Sequence, residues 1–295
     1  MRVAFLGLGA IGRPMAVRVA KLHPTTVWNR TAERAVELAR QTGARFAATP
    51  REAVLDADVV ITCLPTSAEV EALLDGPDGL LAGFREGLVL ADCTSGDPAT
   101  SRRIADRLAP RGVAFLDAPV SGGTNGAEAG TLTVMVGGDE AALERARPAL
   151  ASFGSRIVRM GPVGAGHAMK SVNNALLAVN ILAVAEGVTA LVKAGVDARV
   201  AVETLNVSSG RSFVSEHLVV ERVLTGSFPQ TFRLALLQKD AGIAVDLLDD
   251  TGVKGLIFEL AHRLLGEARA VLGEDADYLE AIKVVERQAG AEIRG

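Results

Sequence analysis

The sequence predicts an α/β domain on a doubly wound parallel sheet over residues 1–163, then an all-α domain over residues 164–295, joined by a long interdomain helix. Three observations carry this. In the first half, compact runs of Val, Ile, Leu and Phe alternate with helical stretches. Past Gly166 no period-2 strand follows, and only helical stretches remain. An apolar helical run bridges the two halves, and 295 residues suffice for two ordinary cores.

The strand candidates are 3–6, 25–28, 59–64, 88–91 and 113–116, each followed by turn or capping residues, as in parallel strands buried on both faces. Helices are expected between them at 12–22, 32–41, 68–74 and 98–108, the last opened by Asp97-Pro98 as N-cap and first-turn proline. Strands at 132–136 and 156–158 flank a helix at 140–150 and should extend the sheet. In the second half helices are expected at 167–194, 198–205, 232–248, 255–272 and 277–288. The first, about 28 residues, is about 42 Å long at the α-helical rise, long enough to serve both domains.

Composition narrows the function. Acidic and basic residues number 35 and 31, a net charge of −4, so the basic field of a nucleic-acid binder is absent and a small soluble partner is expected. The opening MRVAFLGLGAIG begins a strand and lacks the leader pattern of a secretory signal, so a cytoplasmic protein is expected. Cys63 and Cys93 close apolar runs and are expected to be reduced and buried. The apolar stretch 175–192 carries Asn180 and Glu186, which favours a buried helix with a polar partner for Glu186 over a membrane span. His23, His217 and His262 share no ligand spacing, so no metal site is expected.

Gly7-Leu8-Gly9-Ala10-Ile11-Gly12 has the form GxGxxG between a strand and a helix, the context in which that turn binds a dinucleotide pyrophosphate in a Rossmann-type domain. Its glycines allow the turn and the close approach of backbone N–H groups, and the helix N-terminus adds partial positive charge. At the end of the second strand an NAD site usually carries a carboxylate, but here stand Asn29, Arg30 and Thr31. With no carboxylate in that segment to repel a 2′-phosphate, and Arg30 and Thr31 to bind it, NADP is expected, with NAD possible.

Asp117-Ala118-Pro119-Val120-Ser121-Gly122-Gly123 follows a strand that Pro119 should end, leaving a loop whose N–H groups and Ser121 hydroxyl suit a carboxylate. Lys170 lies four residues before Asn174, so in a helix the ammonium and the amide share one face. Such a lysine, held near a bound dinucleotide, suits proton transfer.

These residues together resemble the β-hydroxyacid dehydrogenases. Gly7 to Gly12, Asp117 to Gly123, Gly161 to Asn174 as GxxGxGxxxKxxxN, and Lys239-Asp240 as KDxxxA with Ala244 match the family's four ordered signatures along nearly the whole chain. Within the family the chain is most similar to bacterial 3-hydroxyisobutyrate dehydrogenases; tartronate semialdehyde, glyoxylate and succinic semialdehyde reductases are near relatives. The resemblance implies hydride transfer between NADP and a short β-hydroxy acid, 3-hydroxyisobutyrate going to methylmalonate semialdehyde in valine catabolism. It implies Lys170 as the catalytic lysine and Asn174 as its companion, with Ser121, Gly122 and Gly123 on the substrate carboxylate. Asn173, Arg211, Phe232 and Asp240 are further candidates for the substrate. Lys239 and the Leu64-Pro65 and Thr94-Ser95 turns belong to the cofactor, with Asn29 to Thr31 as in members that use NADPH.

A free lysine titrates near ~10.4, so burial, an oxidised nicotinamide and Lys239 are expected to lower Lys170. Ile11 stands where the first signature often has methionine, and residues 273–278 follow the family pattern only loosely. His167, on the first helical turn, is read either as a cofactor or substrate contact or as solvated, and Phe213 and Phe232 are read chiefly as packing. An imine or ketone reductase on the same scaffold is a rival, although such members tend to replace the lysine kept here. A regulatory NADP-binding module is a second rival. The apolar surplus, a mean hydropathy of +0.28, suggests helical surface covered by another subunit, and the resemblance implies a homodimer or homotetramer.

Overall fold

A computed structural model describes residues 1–295. The chain forms two compact units, Met1–Ser171 and Val172–Gly295.

Unit 1 is built on one sheet. Its strands are β1 Val3–Leu6, β2 Thr25–Trp28, β3 Arg45–Phe46, β4 Val59–Thr62, β5 Val89–Asp92, β6 Ala114–Asp117, β7 Val120–Ser121, β8 Leu132–Gly137 and β9 Gly154–Gly161. The order is β3-β2-β1-β4-β5-β6-β8-β7, with β9 on β8, and β3 through β6 in that path are parallel. Alternation of side chains explains why this sheet is covered on both faces. Val3, Phe5, Val59, Ile61, Val89 and Ala91 enter one core, whereas Ala4, Leu6, Val60, Leu88 and Leu90 enter the other. Around it lie α1 Gly12–Leu22, α2 Ala32–Thr42, α3 Pro50–Val54, α4 Ser67–Ala72, α5 Pro98–Leu108, α6 Gly123–Ala129 and α7 Glu140–Leu150. Several of these helices are stopped and started as their sequences dictate. Asp97 caps α5 by accepting from Thr100 N–H, and Gly43 closes α2 in the left-handed conformation that a Cβ would disfavour.

Beyond β6 the sheet departs from the all-parallel expectation, because β8 runs antiparallel to β6 and β7 while β9 is parallel to β8. Pro119 does not end the pairing. It needs no N–H there, since its carbonyl accepts from Met135 N–H at 3.0 Å, and the chain resumes at once as β7. β3 and α3 are too short to show a period, and α6, GTNGAEA, is too glycine-rich to read as helix.

The long helix α8, Ala165–Lys193, begins in unit 1 and continues into unit 2. The division between the compact units, at Ser171/Val172, falls inside this helix, whose first turn is bonded to Asp117 of β6. His167, Lys170, Asn174, Ala178, Ile181, Ala185 and Val188 form one buried stripe along it, polar at the start and apolar afterwards. By length and composition α8 is apolar enough to cross a membrane, but that stripe makes it a core helix. Glu186 is exposed, not buried as expected; it lies off the stripe, so it needs no buried partner.

Unit 2 adds α9 Ala198–Asn206, α10 Leu234–Thr251, α11 Leu256–Leu272 and α12 Ala281–Ala289 around a core that includes Ile181, Val202, Leu237 and Leu265. A π-helical segment, Val214–Val223, was not expected. Its i→i+5 bonding, such as Leu224 N–H to the Val219 carbonyl at 2.9 Å, does not follow the period of 3.6 used to find helices.

Candidate active site

The register aligns the carboxyl ends of β2, β1, β4, β5 and β6 at Trp28, Leu6, Thr62, Asp92 and Asp117. The loops that follow these strands therefore leave one edge of the sheet, and the strand order reverses between β1 and β4, where open α/β sheets take their ligands. Within unit 1 this edge brings together Gly7 to Gly12, Asn29 to Thr31, Leu64-Pro65 and Thr94-Ser95.

The glycine turn fits a dinucleotide. A Cβ on Gly7 would overlap the Cys63 carbonyl oxygen, and one on Gly12 would overlap the Gly7 carbonyl oxygen, so both are required for close packing. Gly9 has nothing within 4 Å of an added Cβ, so the turn's middle opens onto free space. Gly9 and Ala10 are exposed, Ile11 is half-buried at the N-cap of α1 with no side-chain cap bond, and the first turn carries no acid. The helix N-terminus thus keeps donors for an anion. Leu8 N–H donates to Asn29 Oδ1 at 2.8 Å, so the Asn29 amide ties the glycine turn to the end of β2.

Asn29 Nδ2 donates to the Thr31 carbonyl at 2.9 Å, and Thr31 opens α2 without a side-chain cap bond. Arg30 is exposed and not as far from a carboxylate as the sequence suggested: Nη1 lies 3.4 Å from Glu69 Oε1 of α4. Glu69 reaches that position as the acidic partner of a capping box with Thr66. Leu64 N–H donates to Thr94 Oγ1 at 3.1 Å, linking the loops after β4 and β5; Pro65 is exposed and Ser95 half-buried.

Ser121 is half-buried in β7, while Gly122 and Gly123 are exposed at the start of α6, with φ of 134° and 65° that only glycine adopts readily. Asp117, read as part of this loop, is instead buried beneath the start of α8. Oδ1 accepts from Gly164 N–H at 2.7 Å and Oδ2 from His167 N–H at 2.8 Å. Burial raises its carboxyl above the usual range, and the neighbouring His167 and the backbone donors oppose that rise. His167 itself is fully buried, which excludes the solvated reading, and its Nδ1 lies 2.6 Å from Ser101 Oγ. Asp92 and Ser101 were missed by the sequence reading; the one available signal was a polar residue closing an apolar strand. Burial pushes the Cys63 thiol up to about 12 and raises Cys93 as well, so both are poor nucleophiles, and neither forms a disulfide.

Lys170 is buried one turn into α8, and Asn174 lies one turn further on the same stripe. In unit 2, Asp240 orders the residues about Asn174. Asn174 Nδ2 donates to Asp240 Oδ2 at 2.6 Å, Asn173 Nδ2 donates to Asn174 Oδ1 at 3.1 Å, and Lys239 Nζ pairs with Asp240 Oδ1 at 3.0 Å. Phe232 packs edge-on against Tyr278, ring centres 5.8 Å apart, and its N–H donates to Asp277 Oδ2. Asp277 also takes the buried Arg222 at 2.7 Å, so the 273–278 segment is anchored by an ion pair. Arg211 is exposed in the turn closed by its N–H on the Ser208 carbonyl. No group of three or more His, Cys, Asp or Glu residues is placed to hold a metal.

A dinucleotide cradle at the switch point of a doubly wound sheet, followed by a helix bearing a buried lysine and amide, defines an NAD(P)-dependent dehydrogenase. The comparisons narrow the class. Residues 2–161 match the family described as the NAD binding domain of 6-phosphogluconate dehydrogenase, and residues 164–285 that described as NAD-binding of NADP-dependent 3-hydroxyisobutyrate dehydrogenase. The chain is 35% identical to 2-(hydroxymethyl)glutarate dehydrogenase of Eubacterium barkeri, covering 100% of this chain and 98% of that protein. It is 41% identical to the NAD-dependent L-serine dehydrogenase of Pseudomonas aeruginosa, over 82% of this chain and 84% of that one. Mycobacterium tuberculosis 3-hydroxyisobutyrate dehydrogenase, solved with L-serine, superposes with a TM-score of 0.87 at 32% identity, covering 96% and 98%. The chain belongs to the β-hydroxyacid dehydrogenase family and is an NAD(P)-dependent oxidoreductase of a small molecule.

Proposed function

We propose that this enzyme interconverts a short β-hydroxy acid, 3-hydroxyisobutyrate, and its semialdehyde, methylmalonate semialdehyde, with NADP and with Lys170 as general acid/base. The observation that carries the reading is the buried Lys170 one turn before an Asn174 held by Asp240. The substrates named for the relatives support the class: 3-hydroxyisobutyrate, L-serine and 2-(hydroxymethyl)glutarate all carry a primary alcohol on the carbon next to Cα of a carboxylate, and differ in the Cα substituent. Tartronate semialdehyde, glyoxylate and succinic semialdehyde are the alternatives.

When bound, the nicotinamide would supply the hydride acceptor for the carbinol carbon. Lys170 Nζ accepts the hydroxyl proton in oxidation and returns it to the carbonyl oxygen in reduction, while Asn174 holds the substrate oxygen in place. Ser121 and the N–H groups of Gly122 and Gly123 receive the carboxylate, and Gly7 to Gly12, Asn29 to Thr31, the Leu64-Pro65 and Thr94-Ser95 turns, and Lys239 hold the dinucleotide. Asn173, Arg211, Phe232 and Asp240 complete the substrate's surroundings. The test is a spectrophotometric screen of NADP and NAD reduction with 3-hydroxyisobutyrate, serine, glycerate, 2-(hydroxymethyl)glutarate and 4-hydroxybutyrate, run with Lys170→Ala beside the parent. Turnover fastest with 3-hydroxyisobutyrate, and lost by more than tenfold in Lys170→Ala, is expected; catalysis within tenfold of the parent removes the lysine from proton transfer.

We further infer a homodimer or homotetramer, supported by the exposed Leu256, Ile257, Leu260 and Val271 along α11. Light scattering at the monomer mass would end that inference. Cytoplasmic residence is supported by two free cysteines.

A further inference from the structure

Lys170 stands one turn into α8, and that first turn is bonded to a buried polar cluster at the carboxyl edge of the sheet. His167 and Lys170 are three residues apart on one helical face. His167 is held from several sides. Its N–H is taken by Asp117 of β6, and its Nδ1 lies 2.6 Å from Ser101 Oγ of α5. A Cβ on Gly96 would sit 2.8 Å from its Cε1, so the wall behind the ring must be glycine. The Ser101 hydroxyl lies 3.0 Å from the Asp97 carbonyl and donates to it, so Ser101 Oγ receives the hydrogen of Nδ1. The other ring nitrogen, Nε2, faces Asp92 Oδ2 of β5 at 3.9 Å, and neither atom has a hydrogen-bond partner. The second oxygen of Asp92 is fixed by the Thr62 hydroxyl at 2.8 Å and Thr94 N–H at 3.0 Å. Nε2 and Oδ2 face each other across this buried gap, so Asp92 forms the far wall of the ring's enclosure.

We propose that His167 is a positioning residue for the reaction: its ring, gripped between Ser101 and Asp92, sets the rotation of the first turn of α8 and so the place of the Lys170 ammonium. The proposal rests on Lys170 being the proton-transfer group. Its scale is that of geometry in catalysis, where a displacement of about 1 Å costs on the order of 100-fold in rate. Asp92 and Ser101 face the ring, Asp117 holds the backbone N–H of His167, and of this cluster's neighbours on α8 it is Lys170 that meets the substrate.

The test uses the full chain with His167→Ala, His167→Asn and Ser101→Ala. His167→Asn keeps a donor for Ser101 and loses the contact with Asp92. Four quantities are read: kcat, KM for the hydroxy acid that turns over fastest, Kd for NADPH by fluorescence titration, and Tm. Expected is a fall in kcat of at least about tenfold for His167→Ala, a smaller fall for His167→Asn and Ser101→Ala, and KM and Kd within about threefold of the parent. A lowered Tm with kcat, KM and Kd all unchanged would make the cluster merely structural and overturn the proposal, as would KM and Kd rising as steeply as kcat falls. If His167→Ala does not fold, an unchanged kcat in both His167→Asn and Ser101→Ala overturns it. Lys170→Ala, run in parallel, separates the two readings. Activity retained there removes the lysine's role, whereas activity lost there but retained in the folded His167 and Ser101 variants removes only the role of His167.

Discussion

One methyl group added at Gly12 and one at Gly9 should separate folding from cofactor binding within a single turn. At Gly12 the new Cβ overlaps the Gly7 carbonyl oxygen and sits 3.3 Å from Cys63 Cβ, so backbone has to move. Overpacking of that kind costs about 1–3 kcal/mol, and Ala in place of Gly in a helix returns about 1, leaving a net loss of about 1 kcal/mol. For a unit of this length that lowers the Tm of the cofactor-free protein by about 2–4 °C. At Gly9 nothing lies within 4 Å of the new Cβ, and φ is not in the left-handed range. Stability should then change by no more than about 0.5 kcal/mol. The same methyl group occupies the space through which the backbone approaches the pyrophosphate, so the Kd for NADPH should rise at least about tenfold, or about 1.4 kcal/mol. Differential scanning fluorimetry without cofactor and fluorescence titration with NADPH read the two effects. NADPH binding by Gly9→Ala at parental affinity would refute the cradle, and a parental Tm for Gly12→Ala would refute the close approach of α1 to β1.

Arg30→Ala should raise the Kd for NADPH about tenfold and leave that for NADH nearly unchanged. An exposed, charge-assisted contact already shared with Glu69 is worth about 1–1.5 kcal/mol, and equal losses for both dinucleotides would show that Arg30 does not read the 2′-phosphate. Tyr278 is the chain's single tyrosine, and burial pushes its hydroxyl up to about 12 against the opposing charge of Arg222. Phenolate absorbance should therefore rise with a midpoint near that value, and a midpoint near ~10 would contradict the burial. The folded state keeps this proton after the unfolded chain has lost it, so stability should fall as pH rises from ~10 toward 12, and Tyr278→Phe should flatten that fall.

Much of the fold was legible because local patterning and tertiary position agree. The strands at Val3–Leu6 and Thr25–Trp28 and the helices at Gly12–Leu22, Pro98–Leu108 and Glu140–Leu150 lie where the apolar runs and caps put them. β3 and α3 were not legible, since elements of two and five residues carry no measurable period. The candidate site divides the same way. The glycine turn was legible as a cradle because it depends on one strand–turn–helix unit, whereas the crowding at Gly7 and Gly12 and the open space at Gly9 are set by the neighbouring backbone.

By itself, the sequence determined the two-domain plan, the dinucleotide turn, and the placing of Lys170 and Asn174 on one helical face, all of them consequences of periodicity or of residues near one another in the chain. Only tertiary structure decided the rest. It set the direction of β8, the acceptance of Gly164 and His167 by Asp117 from β6, the enclosure of His167 by Ser101 and Asp92, and the approach of Glu69 to Arg30. Each of these joins groups from separate elements whose neighbours are chosen by sheet order and core packing, and no local pattern encodes such a contact.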